Sequence, residues 1–358
     1  MTRLWIANLG AERDWCLEAT GRRALPPGLA WPDPAELAPR AALLALLAAP
    51  GDRIAAPGLE GVRLGARLLE TGVRVATWRE LGLARGERIA PWAPTAALAA
   101  RFGGDPAAAA RARELNDRGG LARELVDDDR VVVRDLPELR RVLEARAGDR
   151  PWVVKARWSA AGRLRRRGSG AELDPDAVRH LERLFGLAGA LVFEVWRPAA
   201  REWGAAGRMR EGEVVRLDLH RAESASGAPA ALRALGKEDG DASDAAARER
   251  ARALLPRLTA ALRSAGHDGP FGFDLRLAME DGREHWTVPA DLNVRHTFGH
   301  VLHALDGGEG RARLCLAAGA REEEGEVLAS DPGRPEATVR WRREDRCVTA
   351  GLPAARPC

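Results

Sequence analysis

At 358 residues, 46% of them hydrophobic and 30% charged, the chain has the length of two or three domains at ~150 residues each and the make-up of a globular protein, not a disordered one. Its balance of 56 basic against 52 acidic residues, a formal +4 spread along the chain, is weak for a nucleic-acid binder. The longest nearly apolar run, Ala41 to Ala49, is far short of a bilayer span, and Met1 to Ile6 leads straight into charged sequence, so neither membrane nor signal segment is expected.

The N-terminal third alternates strand and helix. Leu4–Asn8 reads as a strand, and Pro34 to Leu47 as a helix opening on proline. Arg53–Ala56 reads as a second strand, Val62–Thr71 as a helix closed by Gly72, and Val73–Thr77 as a third strand. That alternation predicts a small parallel α/β layer closing near Pro91–Pro94; it carries no GxGxxG fingerprint. Helix follows from Thr95 through Leu125, broken at Gly103–Pro106. Val131–Val133 is a strand and Pro137–Ala147 a helix. The strand Trp152–Arg157 runs into a Gly- and Arg-rich loop, Ser159 to Gly170. Asp174–Phe185 reads as helix, with strands at Ala190–Trp196 and Val214–His220. Ala222–Ser243 reads as a loop and Ala245–Ala265 as a helix kinked at Pro256. The tail holds an acidic run, Glu322–Glu324, and a strand near Thr338–Arg343.

Two compositional facts sharpen the search for chemistry. Only two lysines, Lys155 and Lys237, stand against 54 arginines, and only three asparagines occur, Asn8, Asn116 and Asn293. Where a surface cation suffices this chain uses arginine, so a surviving lysine marks a place that wants a compact ammonium. Cys16, Cys315, Cys347 and Cys358 share no metal-like or disulfide-like spacing and read as free thiols of a reducing cytoplasm.

The segment from Gly269 to Arg295 is the most informative. Two strand-like runs flank Asp281-Gly282, a pair favoured in tight hairpins. That turn pairs residue 280 with 283 and sets Asp274 opposite Pro289, with Asp291 two residues further along the same face. Asn293 and Arg295 follow on that face by period-two alternation. Oxygen-bearing side chains converging from adjoining strands suit Mg²⁺, which shares its shell with substrate phosphates. A polar outer face of a hairpin would show the same pattern.

Asp291-Leu292-Asn293-Val294-Arg295 resembles the acid-x-Asn-x-Arg motif ending the ATP-grasp domain, and Asp274 resembles that family's first metal ligand. Lys155 in Val153-Val154-Lys155 matches its strand lysine, followed by a glycine-containing loop with Gly162, Gly168 and Gly170. Asn116-Asp117-Arg118 is similar to its Asp-Lys motif, with Arg for Lys. Leu191 to Trp196 looks like its hinge strand. The chain departs from relatives such as biotin carboxylase in carrying Asp where they carry Glu for the metal.

The resemblance implies an α/β and α+β chain: a small N-terminal parallel layer over residues 1–94, an ATP-grasp domain with two lobes clasping ATP over 95–306, and a C-terminal tail over 307–358. It implies an ATP-dependent, Mg²⁺-dependent ligase that activates a small-molecule carboxylate as an acylphosphate for attack by an amine or other nucleophile. In that reading Asp274, Asp291 and Asn293 hold metal, and Lys155 and Arg118 hold phosphates. Gly162, Glu194, Val195 and Trp196 contact the nucleotide, and Arg295 stabilises the transferred group. An ATP-grasp kinase or a non-catalytic ATP-binding module are the alternatives.

Three further features have competing readings. Arg163 to Arg167 reads as a solvated or phosphate-covering loop, with only Trp158 nearby to make it a nucleic-acid patch. His296, His300 and His303 have helical spacing compatible with zinc, although Gly299 points to packing or substrate contact. The tryptophans between Trp152 and Trp203, with Trp286, read as core and pocket lining, and Glu202 as a ribose contact or a surface acid. Neither nucleic acid nor membrane is an expected partner; a cytoplasmic location is expected.

Overall fold

The computed structural model describes all residues except 1, 80, 85–86, 126–129, 160–162, 226–227, 237–239, 317–324 and 345–358. The N-terminal strands are β1 (Arg3–Ile6), β2 (Arg53–Ala55), β3 (Arg63–Leu64), β4 (Arg74–Val75) and β5 (Arg88–Pro91). All but β3 form a parallel sheet in the order β4-β2-β1-β5. Asn8 ties its loops together, donating to Ala93 O at 2.7 Å and accepting from Ala93 N at 3.1 Å. One of the three asparagines is thereby a backbone brace. The expected helix over Val62–Thr71 is reduced to Ala66–Leu69, because β3 leaves to join a distant sheet.

A second sheet is antiparallel: β6 (Val131–Val133), β7 (Pro151–Ala156), β8 (Arg165–Ser169) and β9 (Leu191–Val195), ordered β6-β9-β7-β8. The arginine run expected as loop is largely strand β8, registered against β7 from Pro151↔Ser169 to Lys155↔Arg165. Gly168 belongs here for space, since a Cβ would sit 2.2 Å from the ring of Trp152.

The third sheet takes β10 (Ala199–Arg210), β11 (Glu213–Ala225), β12 (Ala228–Ala234), β13 (Gly269–Glu280), β14 (Arg283–Asn293), β15 (Ala312–Cys315), β16 (Glu326–Asp331) and β17 (Arg334–Arg343). With β3 they run β14-β13-β10-β11-β12-β15-β17-β16-β3. Part of the expected loop over Ala222–Ser243 is strand, and β10 is absent from the sequence reading. Its Gly204-Ala205-Ala206-Gly207 core has poor strand propensity, but both glycines make room for cross-sheet rings: a Cβ would meet His220 at 2.3 Å and Phe271 at 2.4 Å.

Helices begin where the sequence signals them. Asp105, Asp135, Asp174 and Asp241 cap their helices with side-chain bonds to backbone N–H groups, three of them beside proline in the first turn. Among the described residues, no helix is long and apolar enough to cross a membrane.

Candidate functional site

The hairpin turn forms as expected, with Glu280 opposite Arg283. The register then slips between Asp274 and Arg276, so that Asp274 lies directly opposite Asp291, not Pro289. A slip of two residues preserves the face. The correction brings the two carboxylates closer than the regular hairpin would, and Asn293, opposite Gly272, follows on the same face.

Among the described residues no hydrogen bond or ion pair engages the Asp274 carboxylate. It reaches solvent, yet surrounding protein, the facing Asp291 and Glu202 together push its acid well above the ordinary carboxylate range; Arg276 and Arg118 pull only weakly the other way. Asp291 is ion-paired to Arg118, whose other arm donates to Ser159 Oγ at 2.8 Å. The Asn293 amide oxygen accepts from Arg295 at 3.0 Å. Arg295 is held by Glu12, in the first turn of the N-terminal helix Ala11–Thr20. The motif strand is thus locked to the N-terminal layer by one buried ion pair.

These donors suit a hard divalent cation: two facing carboxylates, one unengaged and resisting its charge, with an amide oxygen alongside. Among the described residues no group of three or more His, Cys, Asp or Glu is arranged to hold a metal. A cation at Asp274, Asp291 and Asn293 would therefore need waters and phosphate oxygens to complete its shell, which is how Mg²⁺ is usually bound.

Lys155 on β7 is buried and points at Glu194 on β9, Nζ to Oε2 2.7 Å. Arg130 approaches the other Glu194 oxygen at 3.4 Å and donates to the carbonyls of Pro289 and Ala290 at 3.1 and 2.8 Å. It therefore spans from the second sheet to β14. Burial, with Arg276, Arg118 and Arg130 nearby, lowers Lys155 to about 8 against the pull of Glu194. Burial alone would raise Glu194, but Lys155 and Arg130 outweigh it and hold the carboxylate ionised. Val195 is buried, and two guanidiniums pack against Trp196, Arg167 at 3.9 Å and Arg276 at 4.9 Å from its ring centre. Glu202 sits 3.4 Å from Arg276.

Asn116 is spent on the backbone. Its amide donates to Ala112 O at 2.6 Å and accepts from Val294 N at 2.9 Å, bracing the motif strand. Asp117 is ion-paired to Arg157. Of the histidine trio, His300 spends both ring nitrogens, on Thr297 N and Gly207 O, each at 3.0 Å, which argues against a zinc site there. Gly162, Lys237, Glu322–Glu324, Cys347 and Cys358 lie outside the described residues. Arg130 and Arg276 escaped the sequence reading because, in a chain of 54 arginines, residue type alone singles out no arginine, and Glu12 because its partner Arg295 lies far along the chain.

No protein-family model and no curated protein sequence matches the chain. Solved structures do. The phosphoribosylamine–glycine ligase of Thermotoga maritima aligns at 13% identity over 96% of this chain and 92% of that one, with a TM-score of 0.52. A biotin carboxylase–ATP complex from Campylobacter jejuni aligns at 11% identity over 96% and 88%, TM-score 0.53. The N5-carboxyaminoimidazole ribonucleotide synthetase of Thermus thermophilus aligns at 16% identity over 96% and 94%, TM-score 0.51. The fold is a mixed α/β one, shared with these three solved structures.

Proposed function

We propose that the protein is an ATP-dependent ligase that activates a small-molecule carboxylate as an acylphosphate and passes the acyl group to an amine or another nucleophile. The observation that carries this reading is the unengaged Asp274 carboxylate facing Asp291 on one sheet face, with Arg118 and Arg276 acting on both Asp274 and Lys155. The ligases among the solved structures of this fold agree with it.

Asp274, Asp291 and Asn293 would hold Mg²⁺, which neutralises charge on phosphate oxygens during transfer. Lys155 and Arg118 would position the phosphates. Trp196 offers a flat face to the base, reached by displacing one of its flanking guanidiniums. Arg295, fixed by Glu12 and Asn293, would stabilise the transferred group as negative charge develops. A carboxylate already ionised needs no general base to accept a phosphoryl group. The soluble, cytoplasmic setting read from the sequence belongs to this proposal.

The test is incubation of the protein with Mg-ATP and a small-molecule cell extract. ADP and a mass-shifted ligated product should appear together. A phosphorylated acceptor without ligation would point to a kinase, and nucleotide binding without ADP to a binding module.

A further inference from the structure

His220 on β11 and His303 in the helix Phe298–Asp306 are 5% and 6% exposed, with ring centres 5.5 Å apart in an edge-on contact. Among the described residues neither ring makes a hydrogen bond, and His220 Nδ1 and His303 Nε2 are fully enclosed. Leaving such groups unpartnered is costly, so a buried imidazole pair without partners asks for an explanation.

The surroundings are built around His220. A Cβ on Gly204 would meet its Nε2 at 2.3 Å, and one on Gly299 its Cε1 at 2.4 Å, so two glycines make the slot the ring fills. His220 is registered opposite Gly204, Gly204 opposite Asp274, and Asp274 opposite Asp291. All four share one sheet face, with Asp274 two strands, about 10 Å, from His220 at the backbone. The Nε2 edge leans over Gly204, towards the carboxylate pair.

The charged groups around the pair are few. From β11 come Arg216 and Asp218, from β10 Arg208, and from the helix His300 and Asp306. His300 is spent on Thr297 and Gly207. Asp306 accepts from the backbone N–H groups of Gly310, Arg311 and Ala312 at 2.6–2.8 Å. That leaves Asp218, partly exposed and ion-paired to Arg216, as the carboxylate whose charge reaches His303. Burial holds both rings neutral, able to accept a proton on one nitrogen and release one from the other.

We infer that His220 and His303, with Asp218 at the outer end, form a proton relay that drains the cleft during attack by an amine. The inference rests on the ligase reading and identifies its nucleophile as one that arrives protonated. The ammonium first gives one proton to His220, which frees the nitrogen lone pair that bonds to the acyl carbon. As the carbon–oxygen bond to phosphate breaks, the nitrogen's second proton leaves on the phosphate as HPO₄²⁻. His220 releases the proton on its other nitrogen to His303, and His303 hands its own to Asp218 and water. Enclosed water between the rings would complete the path and satisfy the orphaned nitrogens.

The experiment measures ADP release with a small-molecule cell extract as carboxylate source and either ammonium or hydroxylamine as nucleophile. Hydroxylamine is uncharged at neutral pH. His220→Gln and His303→Gln should slow ammonium-supported turnover by ~100-fold or more, the scale of general acid–base catalysis, and leave hydroxylamine-supported turnover within about twofold. Asp218→Asn, on the partly exposed side where folding is not at stake, should give a smaller loss with the same split and a shifted pH profile. Equal losses with both nucleophiles, or none with either, would overturn the relay. Absence of ADP from the wild-type protein with hydroxylamine would instead overturn the ligase reading.

Discussion

At one end of the candidate site Lys155, Glu194 and Arg130 form a buried ion-paired set, each charge facing an opposite one. At the other end Asp274 faces Asp291, and among the described residues only Asp291 has a direct partner, Arg118. A buried ion pair carries a desolvation penalty, but removing one partner costs more still, because the other charge is left buried and alone. An incomplete acid pair is different: it holds negative charge that the protein leaves uncompensated, and such charge is relieved by a cation. The first end is preorganised and the second is poised, and substitutions should separate them.

The largest effect is expected at the poised end. Asp274→Asn and Asp291→Asn keep shape but remove an anionic ligand, so ADP production should fall by ~100-fold or more, about 2.7 kcal/mol, the scale of a dedicated electrostatic contact. Asp281→Asn removes the same charge at the hairpin turn and should change almost nothing, because Asn-Gly is an equally good turn pair. ADP assays across Mg²⁺ concentrations compare the three. Similar behaviour in all three would reduce the acid pair to a polar strand face.

Stability should move the opposite way. The folded-state acidity of Asp274 is weakened, its pKa raised above the ordinary 3.8, so the native fold binds a proton more readily than the unfolded chain. Wild-type stability contributed by this group is therefore present at low pH and is lost as pH rises through the raised value. Asp274→Asn lacks that loss and should melt higher than wild type at neutral pH, with the advantage gone below the ordinary 3.8. A lower melting temperature at neutral pH would show that the carboxylate is satisfied after all.

At the preorganised end Lys155→Ala should weaken nucleotide binding by about 1.5–3 kcal/mol, as expected for a charge-assisted contact. Glu194 would keep Arg130, so the fold should survive. Because Lys155 is depressed to about 8, its ammonium is lost as pH rises past that value. Calorimetric affinity for Mg-ATP should then fall above about pH 8 in the wild type and stay flatter in Lys155→Ala. Bound phosphate favours the ammonium, so binding in that range should take up a proton, measurable in buffers of different ionisation enthalpy.

Much of this contrast is legible in the sequence, for local reasons. Asp281-Gly282 specifies its turn, and alternation along Asp291, Asn293 and Arg295 specifies a face. The rarity of lysine picks out Lys155, because the compositional skew removed the lysines that merely solvate. What could not be read depends on distance along the chain. The register slip beside Asp274 is a property of two strands together. Strand β10 is built of Gly and Ala, whose value appears only once His220 and Phe271 are packed against it. Arg130 and Glu12 meet partners 64 and 283 residues away, since Arg130 pairs with Glu194 and Glu12 with Arg295. Rarity is no such guide for asparagine, since Asn8 and Asn116 are backbone braces.

The smallest expected effect is at the residue joining the two ends. Arg118 replaces the lysine of the motif it resembles, and its fork explains the exchange: one arm reaches Ser159 Oγ and the other Asp291. A lysine carries the same charge on a point donor and cannot hold both at once. Arg118→Lys should therefore cost one hydrogen bond, about 0.5–1.5 kcal/mol, read as a modest loss of Mg-ATP affinity with the melting temperature little changed. Arg118→Ala should cost more, because Asp291 would then join Asp274 as a second unpaired carboxylate. If Arg118→Lys instead lowers ADP production as far as Asp291→Asn does, the arginine governs the carboxylate's position, and the poised end is less independent of its neighbours than its geometry implies.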